Sequence, residues 1–146
     1  MKFINYNKDE LFIDEVSISN PSDRQLQIKV FSSGINRADI LQKKGHYPAP
    51  KGESEIIGLE CSGVVEKVGH SVQNFQIGDK VCAILGGGGY AEFVNVDERQ
   101  VMPVPSNIDL HHAGALPETI LTVYENILNI SQFTEHETVL IHGGSS

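Results

Sequence analysis

The sequence predicts a mainly β fold with a few helices: a small β-barrel or sandwich, then two helices, then one further strand. Short alternating apolar and polar runs, separated by turns rich in glycine and proline, recur through the first hundred positions. After Pro105 the apolar residues follow helical spacing instead. The last ten residues, ETVLIHGGSS, place an apolar run directly before two glycines. These three observations predict the fold class.

Seven strands are predicted in the first part of the chain. Alternation and turn signals place them at residues 2–6, 11–17, 24–33, 62–68, 80–85, 90–96 and 100–103. One short helix interrupts them. We expect Asn36 to cap it, Asp39 to complete a capping box, and Gly45 to end it, with Ala38, Ile40 and Leu41 on its inner side.

Two helices and a strand are predicted after Pro105. Ser106 or Asn107 is expected to cap a short helix, and Pro117 to open a longer one. The longer helix carries an apolar stripe at helical spacing: Ile120, Leu121, Tyr124, Ile127 and Leu128. Residues 139–141 are predicted to be a buried parallel strand that enters a phosphate-binding turn.

Four consecutive glycines occupy residues 86–89. They favour a flexible or tightly turning loop between strands, since glycine adopts backbone angles that other residues avoid. A phosphate-binding loop is the alternative, but such loops lie between a strand and a helix, and a strand is predicted to follow here.

Composition and charge exclude several classes of function. The chain has 146 residues, 40% hydrophobic and 21% charged, with a formal net charge of −8. That charge argues against nucleic-acid or anionic-membrane partners. Neither a signal-peptide core nor a membrane-length apolar run occurs in the sequence, which predicts a cytoplasmic protein. Cys61, directly before a predicted strand, and Cys82, within one, are expected to be buried and unpaired.

Several motifs in order resemble one superfamily. They are GINRAD, GHYPAP, IIGLECSGVVEKVG, IGDKV, GGGGYAEF, ALPETILTVYE and VLIHGGSS. The chain resembles the medium-chain dehydrogenases/reductases, and most of all their zinc-independent NADPH:quinone oxidoreductases. The resemblance implies a GroES-like, partly open barrel over residues 1–116. It also implies that residues 117–146 are the linker helix and first strand of an incomplete Rossmann cofactor domain.

The resemblance implies a site without metal. Zinc alcohol dehydrogenases of this superfamily have a cysteine ligand where this chain has Asn36, and a histidine ligand where it has Leu59. Neither an amide nor an aliphatic side chain replaces thiolate and imidazole as zinc ligands. The histidines of the chain show no ligand spacing, so no metal site is predicted.

The resemblance also implies roles for individual residues. Asn36 would hold a cofactor or substrate oxygen in the cleft, Tyr47 would lie beside the nicotinamide or quinone ring, and Glu60 would organise the cleft by hydrogen bonding. For cofactor binding the candidates are Asn36, Thr122, Gly143 and Gly144. Plain packing or capping stays an alternative for Asn36 and Tyr47, and Thr122 is equally able to bond only its own backbone.

Three functions stay open at this point. The first is the N-terminal part of an oxidoreductase that transfers hydride from NADPH to a quinone, inactive as this chain alone. A stand-alone GroES-like binding module is the second, with self-association through the exposed helix and terminal strand. The third is a zinc-free enoyl or enone reductase. Which of NADPH and NADH is used also stays open, since the discriminating residues follow the second Rossmann strand.

Overall fold

The structure is a computed structural model that describes residues 1–8 and 10–143. Within that part of the chain, seven strands form: β1 Lys2–Tyr6, β2 Leu11–Glu15, β3 Gln25–Ser32, β4 Glu60–Val68, β5 Lys80–Ile84, β6 Phe93–Asp97 and β7 Val101–Pro103. Three α-helices accompany them: α1 Arg37–Lys43, α2 Leu110–Ala113 and α3 Pro117–Tyr124. A 3₁₀ turn, Glu98–Gln100, joins β6 to β7, and a π-helical turn, Glu125–Ile130, extends α3.

The strands form one five-stranded antiparallel sheet and one hairpin. The sheet has the order β6-β3-β4-β5-β7, and β1 pairs with β2 in the hairpin. Two register shifts between β3 and β4, at Gln27/Ile28 and Val30/Ser32, interrupt the ladder. Such bulges bend a strand and increase its twist, so the sheet curls into a half-barrel. This confirms the mainly β, GroES-like class.

The core lies on the inner face of this curled sheet. It consists of aliphatic side chains and one cysteine from all five strands of the sheet and from the residue directly after β5: Leu26, Ile28, Cys61, Val65, Val81, Ala83, Leu85, Val94, Val96 and Val101. In β3, β4 and β5 the core residues are two or four positions apart, so their side chains share one face of the sheet. Both cysteines are buried and free, as expected. Burial raises the pKa of the Cys61 thiol to about 12, which keeps it protonated at neutral pH.

The predicted strand boundaries are wrong by up to three residues, and the largest difference is at the start of the strand predicted at residues 90–96. β6 begins at Phe93, and the preceding residues 90–92 bond to β1, with one further hydrogen bond from the amide of Val30 in β3 to the carbonyl of Glu92. The amide of Ile4 donates to the carbonyl of Tyr90, and the amide of Glu92 donates to the carbonyl of Lys2. Alternation in the sequence predicts a strand but not its neighbour, so it cannot tell whether residues 90–92 pair with β1 or with the sheet.

Two details of the predicted helices are also wrong. The buried residues of α1 are polar, Asp39 and Gln42, whereas Ile40 is exposed. The cap of α2 is Asp109, whose carboxylate accepts a hydrogen bond from the amide of His112, and neither Ser106 nor Asn107 has this role. Asp at this position is as good a cap as Ser or Asn, so composition alone did not decide between them.

The strand predicted at residues 139–141 is not formed. Val139, Leu140 and Ile141 are exposed, and no strand among the described residues pairs with them. A parallel strand requires hydrogen bonds from a neighbouring strand.

None of the helices within the described part of the chain has the length and apolar character that a membrane crossing requires.

Candidate functional site

The connection from β3 to α1 brings Asn36 next to Glu60. The side-chain Nδ2 of Asn36 donates a hydrogen bond of 2.8 Å to Oε1 of Glu60. Glu60 is the first residue of β4 and is only 1% exposed. A buried carboxylate requires hydrogen-bond donors, and the amide of Asn36 supplies one of them. The two residues therefore form a fixed polar pair at the edge of the barrel.

Glu60 also contacts the first turn of α3. Its Oε2 accepts a hydrogen bond of 2.9 Å from the backbone amide of Glu118. The first amides of a helix lack partners within it, and negative charge is favourable there. One carboxylate thus connects Asn36 with the helix that follows the barrel.

The close packing around Glu60 requires glycine at position 34. A Cβ atom on Gly34 would lie 2.1 Å from Oε1 of Glu60, well inside van der Waals contact. Only a residue without a side chain allows the backbone to pass this close to the carboxylate. This contact explains the glycine at the start of the GINRAD motif.

Asp39 anchors the backbone of Asn36. Its Oδ2 accepts a hydrogen bond of 2.7 Å from the amide of Asn36, which confirms that Asp39 contributes to the cap of α1. The same oxygen accepts a hydrogen bond of 3.0 Å from the hydroxyl of Tyr90. Asp39 is only 3% exposed. No donor among the described residues reaches its other oxygen, Oδ1, nor the buried Oε1 of Gln42 on the same helix face.

The position compared above with a zinc-ligating histidine is aliphatic and buried. Leu59 belongs to the buried hydrophobic residues and offers no donor atom to a metal. Within residues 1–8 and 10–143, no group of three or more His, Cys, Asp or Glu side chains lies together as a potential metal site.

The other predicted site residues lie apart from this pair. Tyr47 is 44% exposed, and no hydrogen bond among the described residues joins it to Asn36 or Glu60. Thr122 is exposed on α3, where its carbonyl accepts a hydrogen bond of 2.8 Å from Nδ2 of Asn126. Gly143 has a φ of +68°, and a Cβ added to it would meet nothing within 4 Å. Gly144 lies outside the described residues.

Sequence reasoning missed Tyr90 and the backbone amide of Glu118. Tyr90 follows four glycines in the motif GGGGYAEF, and an aromatic residue directly after such a loop was the available signal. The amide of Glu118 had no signal, because any residue except proline supplies one.

The chain is similar to proteins of one superfamily. A family model described as the alcohol dehydrogenase GroES-like domain matches residues 22–106. The mouse synaptic vesicle membrane protein VAT-1 homolog-like is 31% identical over 92% of this chain and 32% of its own length. A reducing polyketide synthase, PKS1, of Cochliobolus heterostrophus is 36% identical over 83% of this chain and 4% of its own length.

Solved structures agree with this family. The Escherichia coli quinone oxidoreductase complexed with NADPH is 27% identical, with a TM-score of 0.73 over 88% of this chain and 40% of that one. The chain thus spans about a third of the mouse relative and less than half of the bacterial enzyme. The matched family model, which covers more than half of the chain, and the curled sheet lead to one conclusion: the chain belongs to the alcohol dehydrogenase GroES-like domain family of the medium-chain dehydrogenases/reductases.

Proposed function

We propose that this chain is the substrate-side part of an oxidoreductase that transfers hydride from NADPH to a quinone without a metal ion. The observation that carries the proposal is the pair of Asn36 and Glu60, joined at 2.8 Å. It presents a neutral amide, held by a buried acid, and the family resemblance implies that zinc enzymes of the superfamily use a thiolate at this position. Residues 1–116 would form this part, and residues 117–146 would begin the cofactor domain.

The geometry of Asn36 suits recognition of a carbonyl oxygen. A side-chain amide has two N–H donors and one acceptor oxygen, and the bond to Glu60 uses a single donor. The remaining N–H is available to a ligand, while the side-chain oxygen faces the backbone amide of Asp39 in the capping box of α1. Because both Glu60 and the backbone bond to Asp39 restrain Asn36, the amide is held in place before a ligand binds.

A quinone is the acceptor that this chemistry favours. Hydride transfer to a ketone leaves a localised oxyanion, which a Lewis acid would stabilise by several kcal/mol. A reduced quinone is an aromatic hydroquinone anion with delocalised charge, so hydrogen-bond donors and a shaped cleft suffice. The similarity to a bacterial quinone oxidoreductase supports the same choice.

We expect the described residues alone to bind a dinucleotide weakly or not at all. Gly143 makes no close approach to another segment, and Thr122 is exposed on α3. NADPH, when bound to a complete protein, would supply the hydride. This chain would supply the amide of Asn36 for the substrate or nicotinamide side and the aromatic ring of Tyr47 as a cover. A cytoplasmic location is part of the proposal and rests on the sequence.

An activated enone is the second candidate substrate. It also yields a delocalised anion on hydride addition, and the similarity to a reducing polyketide synthase favours it. Calorimetry separates the quinone from the enone as substrate. It measures the binding of a soluble para-quinone and of an α,β-unsaturated thioester to the purified chain. We expect saturable quinone binding that Asn36→Ala weakens about tenfold, the loss typical of one hydrogen bond to a partly buried group.

Matched controls sharpen this experiment. Asn5→Ala removes an amide from the β1–β2 hairpin and should leave binding unchanged. EDTA should have no effect on quinone binding. Thioester binding without quinone binding would favour the enone reductase, and binding unaffected by Asn36→Ala would contradict the site. We also expect the chain mixed with NADPH and quinone to show no sustained loss of NADPH absorbance.

A further inference from the structure

We propose that Tyr90 is a positioning residue for Asn36: its hydroxyl holds Asp39, and Asp39 holds the backbone from which the Asn36 amide projects. Nothing in the family match assigns Tyr90 a role. Only the binding of a substrate oxygen by Asn36 rests on the proposed function. The positioning itself is a property of this chain and is measured without turnover.

A single carboxylate oxygen connects the two residues. Oδ2 of Asp39 accepts hydrogen bonds from the amide of Asn36, at 2.7 Å, and from the hydroxyl of Tyr90, at 3.0 Å. With Asp39 buried, water cannot replace either donor without opening the structure. Without the hydroxyl, Oδ2 would lose one of its two hydrogen bonds. The carboxylate would then be free to rotate, because no described donor holds Oδ1. The amide of Asn36 would then lose its fixed acceptor.

Tyr90 is suited to act as a permanent donor. Burial, followed by the charge of Asp39, the hydrogen bond to it, and the charge of Glu60, raises the pKa of Tyr90 well above its ordinary value. A phenol of raised pKa keeps its proton at neutral pH and is a poor general acid. The hydroxyl therefore holds Asp39 in place and is not a source of protons for the substrate.

The glycine-rich segment places Tyr90 where it can reach Asp39. A Cβ on Gly58 would lie 2.6 Å from the amide nitrogen of Tyr90, and one on Gly89 would lie 2.8 Å from the carbonyl oxygen of Glu60. The amide of Tyr90 donates to the carbonyl of Ile57 at 3.0 Å, and its carbonyl accepts from the amide of Ile4 at 2.8 Å. The backbone of Tyr90 is thus held from both sides. The four glycines form a tightly turning loop whose close packing serves this placement.

The test is NMR spectroscopy of the ¹⁵N-labelled chain, with the side-chain amide of Asn36 as the reporter. Its signals are assigned by their loss in Asn36→Ser. We expect Tyr90→Phe to shift these signals and to make their exchange with water about tenfold faster, as for a lost hydrogen bond. Tyr6→Phe, which removes the same atom from the β1–β2 hairpin, is the control and should leave them unchanged. Unchanged Asn36 signals in a folded Tyr90→Phe variant would overturn the proposal.

A second pair of variants decides the case if Tyr90→Phe does not fold. Asp39→Asn keeps one oxygen that can accept from both Asn36 and Tyr90, and it places an N–H₂ group where Oδ1 has no donor. We expect Asp39→Asn to preserve the Asn36 amide signals and Asp39→Ala to alter them. If the two variants behave alike, folded or not, the positioning role is wrong. Absence of quinone binding would contradict the proposed function and leave this result standing.

Discussion

At the scale of single residues, the site is organised by one buried carboxylate that has no cationic partner. Both oxygens of Glu60 accept hydrogen bonds from neutral groups, the amide of Asn36 and the backbone amide of Glu118. No ion pair among the described residues includes Glu60. Burying a carboxyl group is expensive unless its oxygens are bonded, so these two donors and the space left by Gly34 are all required.

Gly34→Ala tests this dependence. The new Cβ would meet Oε1 of Glu60 at 2.1 Å and displace it from both donors. We expect a loss of about 2–4 kcal/mol in the free energy of unfolding, measured by urea denaturation, because two hydrogen bonds to a buried carboxylate are broken. The loss should shrink when Glu60 is already alanine.

The control for Gly34→Ala separates steric clash from backbone strain. Gly78→Ala stands at a φ of +95° with open space around the added Cβ. It should cost about 1 kcal/mol, which is the conformational penalty alone. Equal losses for the two variants, or an equal loss with and without Glu60, would contradict the role of Gly34.

At the scale of elements, Glu98 connects the turn between β6 and β7 with the loop before β5 by hydrogen bonds. Its Oε2 accepts hydrogen bonds from the amide of Gln73 and from Nδ2 of Asn74, each at 3.2 Å. Its Oε1 lies 3.5 Å from Nη2 of Arg24. The bond from the Gln73 amide is the main cause that lowers the pKa of Glu98 below its ordinary value of 4.5, and Asn74 and Arg24 add to it.

Glu98→Gln should flatten the dependence of stability on acid pH. A carboxyl whose pKa is lower in the folded chain stabilises the fold above its unfolded pKa, near 4.5, and loses this contribution as the pH falls through the folded value. We expect the wild-type free energy of unfolding to fall between about pH 5 and pH 3. The variant should be less stable at pH 7 and should fall less. Glu66→Gln, on an exposed part of β4, should follow the wild type; identical slopes for all three proteins would refute the assignment.

At the scale of the whole molecule, α3 and its π-helical extension present an uncovered apolar face. Val123, Tyr124 and Ile130 are each more than half exposed, and Leu128 is nearly so. Several exposed apolar side chains on one helical segment are typical of an interface. The relatives extend well beyond the matched part, and the chain covers 32% of the mouse protein.

We expect this face to make the chain self-associate. Sedimentation velocity should show a concentration-dependent shift from monomer toward dimer, and Val123→Lys should reduce it by introducing a charge at the interface. Ile77→Lys, which places the same charge on an exposed residue of the loop before β5, is the control and should associate as the wild type does. A monomer at every concentration would contradict the expectation.

The sequence by itself determined which parts of the chain form the strands of the barrel, with boundaries correct to within a few residues. Alternating apolar and polar residues between turn signals predicted strands at β3, β4 and β5, because the side-chain period of a strand is a local property. The family resemblance of the ordered motifs predicted Asn36 and Glu60 as site residues, which stays a prediction.

Only the tertiary structure decided which groups bond to these residues. The contacts of Tyr90 with Asp39, and of the Glu118 amide with Glu60, join residues 51 and 58 positions apart. The polar inner face of α1 likewise follows from Tyr90 and Glu55, which supply its partners from other segments. The missing strand at residues 139–141 has the same physical reason: a strand exists only where another strand completes its hydrogen bonds, and no local pattern contains that partner.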